Sequence, residues 1–133
     1  MKQNWTDQRI LIIGAARQGL ALARFLSARG AKVTLNDQRS PSQMQPVMDS
    51  LSGPNIRWAL GGHPLELLND TDLICVSGGV PLTLPILVEA LRRGIPLTND
   101  SQIFMDAVQA PVIGITGSAG KTTTTTLVGR IAQ

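Results

Sequence analysis

The chain has no tyrosine, and aromatic residues of every kind make up 3% of it. A core built without large rings must be aliphatic, which is the composition of a parallel sheet covered by helices. The same shortage argues against a platform on which successive bases of single-stranded nucleic acid could stack. Cysteine is almost missing too. Cys75 is the only one, so no disulfide can form within the chain, which suits a reducing compartment, and a cytoplasmic protein is expected. Cys75 sits in an apolar run and reads as a small buried hydrophobe rather than a nucleophile. The single histidine, His63, follows two glycines and precedes proline. It reads as a loop residue without chemistry, since no second His or Cys is placed to complete a metal site and no Ser/His/Asp set has a plausible base. No apolar run approaches the roughly 18 residues that would span a membrane, and Met1 to Trp5 contains no signal-peptide core. Charged residues are 16% of the chain, with a net charge of +3. Lys and Arg are scattered, so neither a nucleic-acid nor a membrane partner is expected.

What remains is a 133-residue chain, 43% hydrophobic, long enough for one domain or one domain and a piece of another. Arg9 to Gly14 is a continuous apolar run closed by glycine and reads as a strand buried on both faces. A helix carrying Leu20, Leu22, Ala23, Phe25 and Leu26 follows, with Gly30 as its C′ residue. A second strand, Lys32 to Asn36, ends at Asp37, completing a βαβ unit. Ser40-Pro41 opens a loop before a weak helix from about Ser42 to Leu51, and Gly53-Pro54-Asn55 forms a turn. Further strands are expected at Ile56–Leu60, Asp72–Val76 and Ile95–Leu97, the last on an edge because of Pro96. Leu65–Leu68 fits one helical turn. Pro85 suits the first turn of a helix that Gly94 stops, and Asp100 or Ser101 suits the cap of a helix over Gln102–Val108. The alternation predicts an α/β fold: a Rossmann-like parallel sheet with flanking helices over residues 1–99. Residues 100–133 read as a linker helix and then the first strand, phosphate loop and helix of a second α/β domain.

Ligands of such sheets bind beyond the carboxyl ends of the strands, where four glycine-rich or polar loops converge. Gly14-x-Ala16-x-x-Gly19 is a degraded G-x-G-x-x-G, with a strand before it, a helix after it, and Asp37 about 20 residues on. The methyl group of Ala16 hinders the close approach of a pyrophosphate, which weakens a dinucleotide reading. Asp37 could accept from a sugar hydroxyl or a base N–H, and Arg39 could pair with a phosphate. Ser77-Gly78-Gly79 would let a ligand lie against the backbone. Each loop has a plainer reading as a turn or a solvated segment. Near the C-terminal end, Pro111-Val112-Ile113-Gly114-Ile115 reads as a short buried strand feeding Thr116-Gly117-Ser118-Ala119-Gly120-Lys121-Thr122-Thr123. That is the layout of a phosphate-binding loop with non-standard glycine spacing, in which backbone N–H groups and Lys121 face phosphates and the Thr122 hydroxyl can ligate Mg²⁺. Thr122 to Thr126 are β-branched and poor helix formers, so the helix after the loop needs packing partners.

With these residues in hand, the chain resembles the Mur ligases of bacterial cell-wall synthesis. The resemblance is carried by Ile12 to Ala21, Asp37-Gln38-Arg39, Val76 to Pro81, Gly94 to Leu97 and Ala110 to Thr123, and the Asp-x-Arg after the second strand favours the D-glutamate-adding branch. It implies an N-terminal domain for the UDP part of UDP-N-acetylmuramoyl-L-alanine, with Arg17 and Gln18 along the diphosphate and uridine. Asp37, Gln38 and Arg39 would hold the uracil side, and Ser77 and Gly79 would close the pocket. It also implies ATP on Gly117, Ser118, Ala119, Gly120, Lys121, Thr122 and Thr123, with Lys121 on the phosphates as the catalytic group and Thr122 at Mg²⁺. In the family, ATP phosphorylates the substrate carboxylate, and the amine of D-glutamate attacks the acyl phosphate. Four positions depart from the family pattern: Ala16 for glycine, Gly78 for proline, Ala119 for asparagine and Gln102 for glutamate. The alternatives are an NAD(P)-binding Rossmann domain of a dehydrogenase or regulatory module, and an interaction domain whose loops are only turns. The family's remaining parts, among them the D-glutamate site, have no counterpart in these residues, so the chain alone is expected to lack ligase activity. ATP-dependent phosphate release with UDP-N-acetylmuramoyl-L-alanine and D-glutamate would refute that expectation.

Overall fold

A computed structural model of the chain describes residues 4–51, 53 and 55–132. Pro54 of the expected turn and Met1, Lys2 and Gln3 of the N-terminal reading lie outside the described residues. Five strands, β1 (Arg9–Ile13), β2 (Lys32–Asp37), β3 (Ile56–Leu60), β4 (Leu73–Val76) and β5 (Leu97–Thr98), form one sheet in the order β3-β2-β1-β4-β5. Every neighbouring pair is parallel, and Ile12 at the centre lies between Leu35 and Cys75. The connections are α1 (Arg17–Ser27), α2 (Pro41–Ser50), a 3-10 helix (Leu65–Asp70) and α3 (Pro85–Arg92). Beyond the sheet come α4 (Asp100–Ala107) and α5 (Lys121–Ile131).

The apolar run of β1 explains its central place. Successive side chains of a strand point to opposite faces, and Ile10, Leu11, Ile12 and Ile13 are all buried. Ile10 and Ile12 enter a core shared with Leu22, Ala23 and Leu26 of α1 and Met44 of α2. Leu11 and Ile13 enter a second core with Leu68, Ile86, Leu87 and Ala90. Burying one such side chain contributes roughly 1.5–3 kcal/mol, so a strand apolar on both faces gains most in the middle of the sheet. Strand β2 is apolar on one face only: Val33 and Leu35 are buried, whereas Lys32 is exposed and Thr34 half-buried. Cys75 is buried in the first core, and that burial pushes its thiol up to about 12, which makes it inert as a nucleophile.

Helix ends follow their local signals. Gly30 (φ +86°) and Gly94 (φ +72°) adopt the left-handed conformation that closes α1 and α3. In each, the following N–H reaches back five residues, from Ala31 to the Leu26 carbonyl and from Ile95 to the Ala90 carbonyl. Ser40 caps α2 in a reciprocal capping box with Gln43, so the helix starts at Pro41, one residue earlier than expected.

Three expectations are corrected. The cap of α4 is Asn99, whose side chain accepts from the Gln102 N–H; Asp100 and Ser101 lie inside the helix. The edge strand is Leu97–Thr98 rather than Ile95–Leu97, because the Ile95 N–H is spent on closing α3. Residues 111–115 form no strand, and Val112 and Ile113 are exposed. Strand geometry needs a neighbouring strand to receive its hydrogen bonds, and the five-stranded sheet offers none there.

Gly19 sets how closely α1 approaches β1. A Cβ at this position would lie 1.9 Å from the Gly14 carbonyl oxygen, a backbone atom that cannot swing aside. Gly19→Ala is therefore expected to destabilise the chain by about 3 kcal/mol or more. Gly129→Ala, where the added methyl meets nothing within 4 Å inside a helix, should not lower the urea midpoint, since alanine is the better helix former by about 1 kcal/mol. Equal midpoints for the two variants would contradict the packing role of Gly19.

Candidate functional site

At the carboxyl edge of the sheet, Asp37 closes β2 with its side chain turned inward and nearly all buried. One carboxylate oxygen accepts from the Ala15 N–H (2.8 Å) and from Arg39 Nη2 (2.8 Å). The other accepts from the Arg39 N–H (3.0 Å) and Arg39 Nε (2.8 Å). A carboxylate offers about four acceptor directions, and each here meets a protein donor. The Arg39 guanidinium foremost, with the N–H groups of Arg39 and Ala15, holds this carboxyl well below the usual range against the opposing effect of burial. Arg39 Nη2 also donates to the Ala15 carbonyl (3.1 Å). Asp37, read from sequence as an acceptor for a sugar or base, thus binds its own loops: it ties the β1–α1 turn to the β2–α2 turn.

The turn it fixes presents the N-terminus of α1. The N-cap residue is Ala16, which has no side-chain cap, and the first turn holds no acidic residue and opens on Arg17. The first hydrogen bond of the helix runs from the Leu20 N–H to the Ala16 carbonyl. Among the described residues, the N–H groups of Arg17, Gln18 and Gly19 therefore have no partner. A helix start already carries partial positive charge, and a cation there is unfavourable unless an anion joins it. Helices α2 and α4 are capped by Ser40 and Asn99, whereas α1 and α3 have no side-chain cap, and of these two only α1 opens on a cation. Arg17, Gln18, Gln38 and Arg39 are all exposed around it.

From the other side, the buried Ser77 at the end of β4 donates its hydroxyl to the Gly14 carbonyl (2.9 Å). Gly78 lies beside Gln18, whose Oε1 would be 2.9 Å from a Cβ there, and Gly79 stands in open space. The structure thus brings together Arg17, Gln18, Asp37, Gln38, Arg39, Ser77 and Gly79. Asn36, which no motif singled out, is completely buried and braces the β3 loop through Ala59, Gly62 and His63. Its only sequence signal was an amide near the end of a strand.

The residues read from sequence as a phosphate loop make a second candidate site. Gly117 (φ +152°) and Gly120 (φ +78°) shape the turn, and Gly120 leads directly into α5 without a side-chain cap. Gly117, Ser118, Ala119, Gly120, Lys121, Thr122 and Thr123 are all exposed. The Lys121 ammonium donates to the Gly117 carbonyl. The Thr125 and Thr126 hydroxyls bond back to the carbonyls of Lys121 and Thr122, an arrangement that satisfies them within a helix. The Thr122 and Thr123 hydroxyls have no partner among the described residues. An uncapped helix start, a lysine and a free threonine hydroxyl fit a phosphate and a divalent cation. No described hydrogen bond joins this loop to the first site. Among the described residues, no helix is long and apolar enough to cross a membrane.

A family model described as the N-terminal domain of MurD-like Mur ligases matches residues 8–99. A UDP-N-acetylmuramoylalanine--D-glutamate ligase of Pelotomaculum thermopropionicum is 40% identical over 131 residues, covering 98% of this chain and 29% of the relative. A Streptococcus pneumoniae protein of the same name is 40% identical over 126 residues, covering 94% and 28%. The chain therefore spans less than a third of the length of these curated relatives. Among solved structures, a pseudomurein peptide ligase type C from Methanothermus fervidus is 32% identical with a TM-score of 0.56, covering 94% of this chain and 26% of that one. Shikimate dehydrogenase from Aquifex aeolicus, at 16% identity and a TM-score of 0.55 over 78% of this chain and 46% of its own, shares the fold alone.

The Asp37 clamp makes a prediction about acid. Because the folded-state pKa lies below the unfolded one, its contribution is complete above about pH 5 and is lost progressively as pH falls toward the folded value. The urea midpoint should drop between about pH 5 and pH 3, and Asp37→Asn should flatten that slope. Asp72, which Arg9 holds at about 2, titrates in the same direction but is more exposed, so Asp72→Asn should flatten it less. A slope unchanged in Asp37→Asn would show that the clamp contributes nothing.

Proposed function

The chain belongs to the Mur ligase family through its MurD-like N-terminal domain, and from that premise we propose that it is the nucleotide-substrate-binding part of a D-glutamate-adding ligase. Residues 1–99 take the UDP portion of UDP-N-acetylmuramoyl-L-alanine, and residues 100–133 open the ATP-binding domain. The whole enzyme is an ATP-dependent ligase of peptidoglycan synthesis that acts in the cytoplasm through an acyl phosphate. The observation that carries this reading is the uncapped, acid-free start of α1, which opens on Arg17 and is flanked by Arg39. It is an anion site, and a diphosphate satisfies both the free N–H groups and the surrounding charge.

In this reading Arg17 and Gln18 lie along the diphosphate and uridine, Gln38 and Arg39 face the uracil side, and Asp37 holds Arg39 in place. Ser77 and Gly79 close the pocket against the first turn. In the second site Gly117, Ser118, Ala119 and Gly120 wrap the phosphates of ATP. Lys121 supplies positive charge to the transferring phosphoryl group, and the hydroxyl of Thr122, with Thr123 beside it, serves Mg²⁺. Bound Mg²⁺ neutralises charge that develops on the phosphoryl oxygens, and the protein's part is placement. Ala119, where the family has asparagine, leaves one polar group fewer at those phosphates.

The test is a thermal-shift titration of the chain with UDP, with NADH and ATP as comparators. A ligand present at about 100 times its Kd adds about 2.7 kcal/mol to stability, which is readily seen as a shift in Tm. UDP should stabilise the chain, and Arg17→Ala should weaken that effect without lowering the Tm of the free protein. Stabilisation by NADH and not by UDP would overturn the reading in favour of a dinucleotide domain.

A further inference from the structure

The carboxylate of Asp37 meets four protein donors, so it has no acceptor direction left for a ligand. The β3 loop lies next to it. The Gly61 N–H donates to the carbonyls of Asp37 (3.1 Å) and Arg39 (2.9 Å), which binds this loop to the turn that carries Arg39. From β2, the completely buried Asn36 donates its amide Nδ2 to the carbonyls of Ala59 in β3 and Gly62 in the loop after it, both at 2.7 Å. With both amide protons so engaged, Asn36 Oδ1 is left as an acceptor, and the atom it meets is His63 Nδ1. Two acceptors cannot make that contact, so Nδ1 carries the proton. In a neutral imidazole the other nitrogen is then an acceptor. Nε2 of the half-buried His63 makes no hydrogen bond among the described residues.

We infer that Asn36 locks His63 in its Nδ1–H tautomer, and that His63 Nε2 accepts a hydrogen bond from the nucleoside of a ligand at this edge. The donor is a ribose hydroxyl or the imide N–H of a pyrimidine base. The inference rests on the nucleotide-substrate reading and adds a residue to it. It assigns a role to a histidine that the sequence presents as an idle loop residue.

Because the chain holds a single histidine, ¹⁵N NMR of the labelled protein reads one imidazole without ambiguity. With the imidazole neutral, the spectrum should show a protonated Nδ1 and a bare Nε2, and Asn36→Ala should release the ring to a mixture of tautomers. Adding UDP should move the Nε2 resonance. His63→Ala should raise the Kd for UDP about five- to tenfold, the loss of one hydrogen bond, and His63→Gln serves if the alanine variant fails to fold. If the imide is the donor, N3-methyl-UDP should bind wild type and variant alike; if it is the ribose, the variant should bind this analogue more weakly too. A protonated Nε2 in the free protein, or UDP affinity unchanged in a folded His63 variant, would overturn the inference while leaving the nucleotide reading intact. A wild-type chain that binds no UDP would overturn both.

Discussion

Burying a carboxylate costs several kcal/mol unless donors replace its water, and at Asp37 those donors come from two different loops. The Ala15 N–H belongs to the turn after β1, and Arg39 to the turn after β2. One charge therefore fixes both turns. Ser77 completes the arrangement from β4 by donating to the Gly14 carbonyl. The start of α1 is held from both sides, and its unpaired N–H groups are aimed before any ligand arrives. Such preorganisation lowers the ordering cost of binding.

The two candidate anion sites share a chemistry and differ in support. Each is a glycine-containing turn leading into an uncapped helix with a cation at its first position, Arg17 in α1 and Lys121 in α5. Helix α1 is anchored by Leu22, Ala23 and Leu26 in the core and by the tight fit of Gly19 against Gly14. Helix α5 has no buried residue, and its side-chain support comes from the hydroxyls of Thr125 and Thr126 bonding back along the helix. Within this chain the first site stands on a helix anchored in the core and the second on a helix without buried side chains.

Much of the fold was legible because its signals are local. The apolar run of β1, the glycines that close α1 and α3, and Pro85 at the start of α3 each specify their element through the few residues around them. The errors fell where a local signal depended on a distant partner. Residues 111–115 have the composition of a strand but no neighbouring strand to pair with. Asn99 won the cap of α4 over Asp100 and Ser101 because the backbone is extended at Asn99 and already helical at the next residue, which sequence alone does not reveal.

The same division runs through the site. Sequence by itself determined which groups stand at the carboxyl edge, since strand ends and glycine turns place Gly14, Arg17, Asp37, Arg39 and Ser77 there by connectivity alone. It also determined the aliphatic core and the inert Cys75. Only the tertiary structure decided what those groups do to one another. Whether Asp37 faces a ligand or the protein depends on the distance from β2 to the Ala15 N–H, 22 residues away along the chain. That His63 matters depends on Asn36, 27 residues before it. Hydrogen bonds are short-ranged and directional, so contacts between residues far apart in sequence exist only once parallel strands have been brought into register.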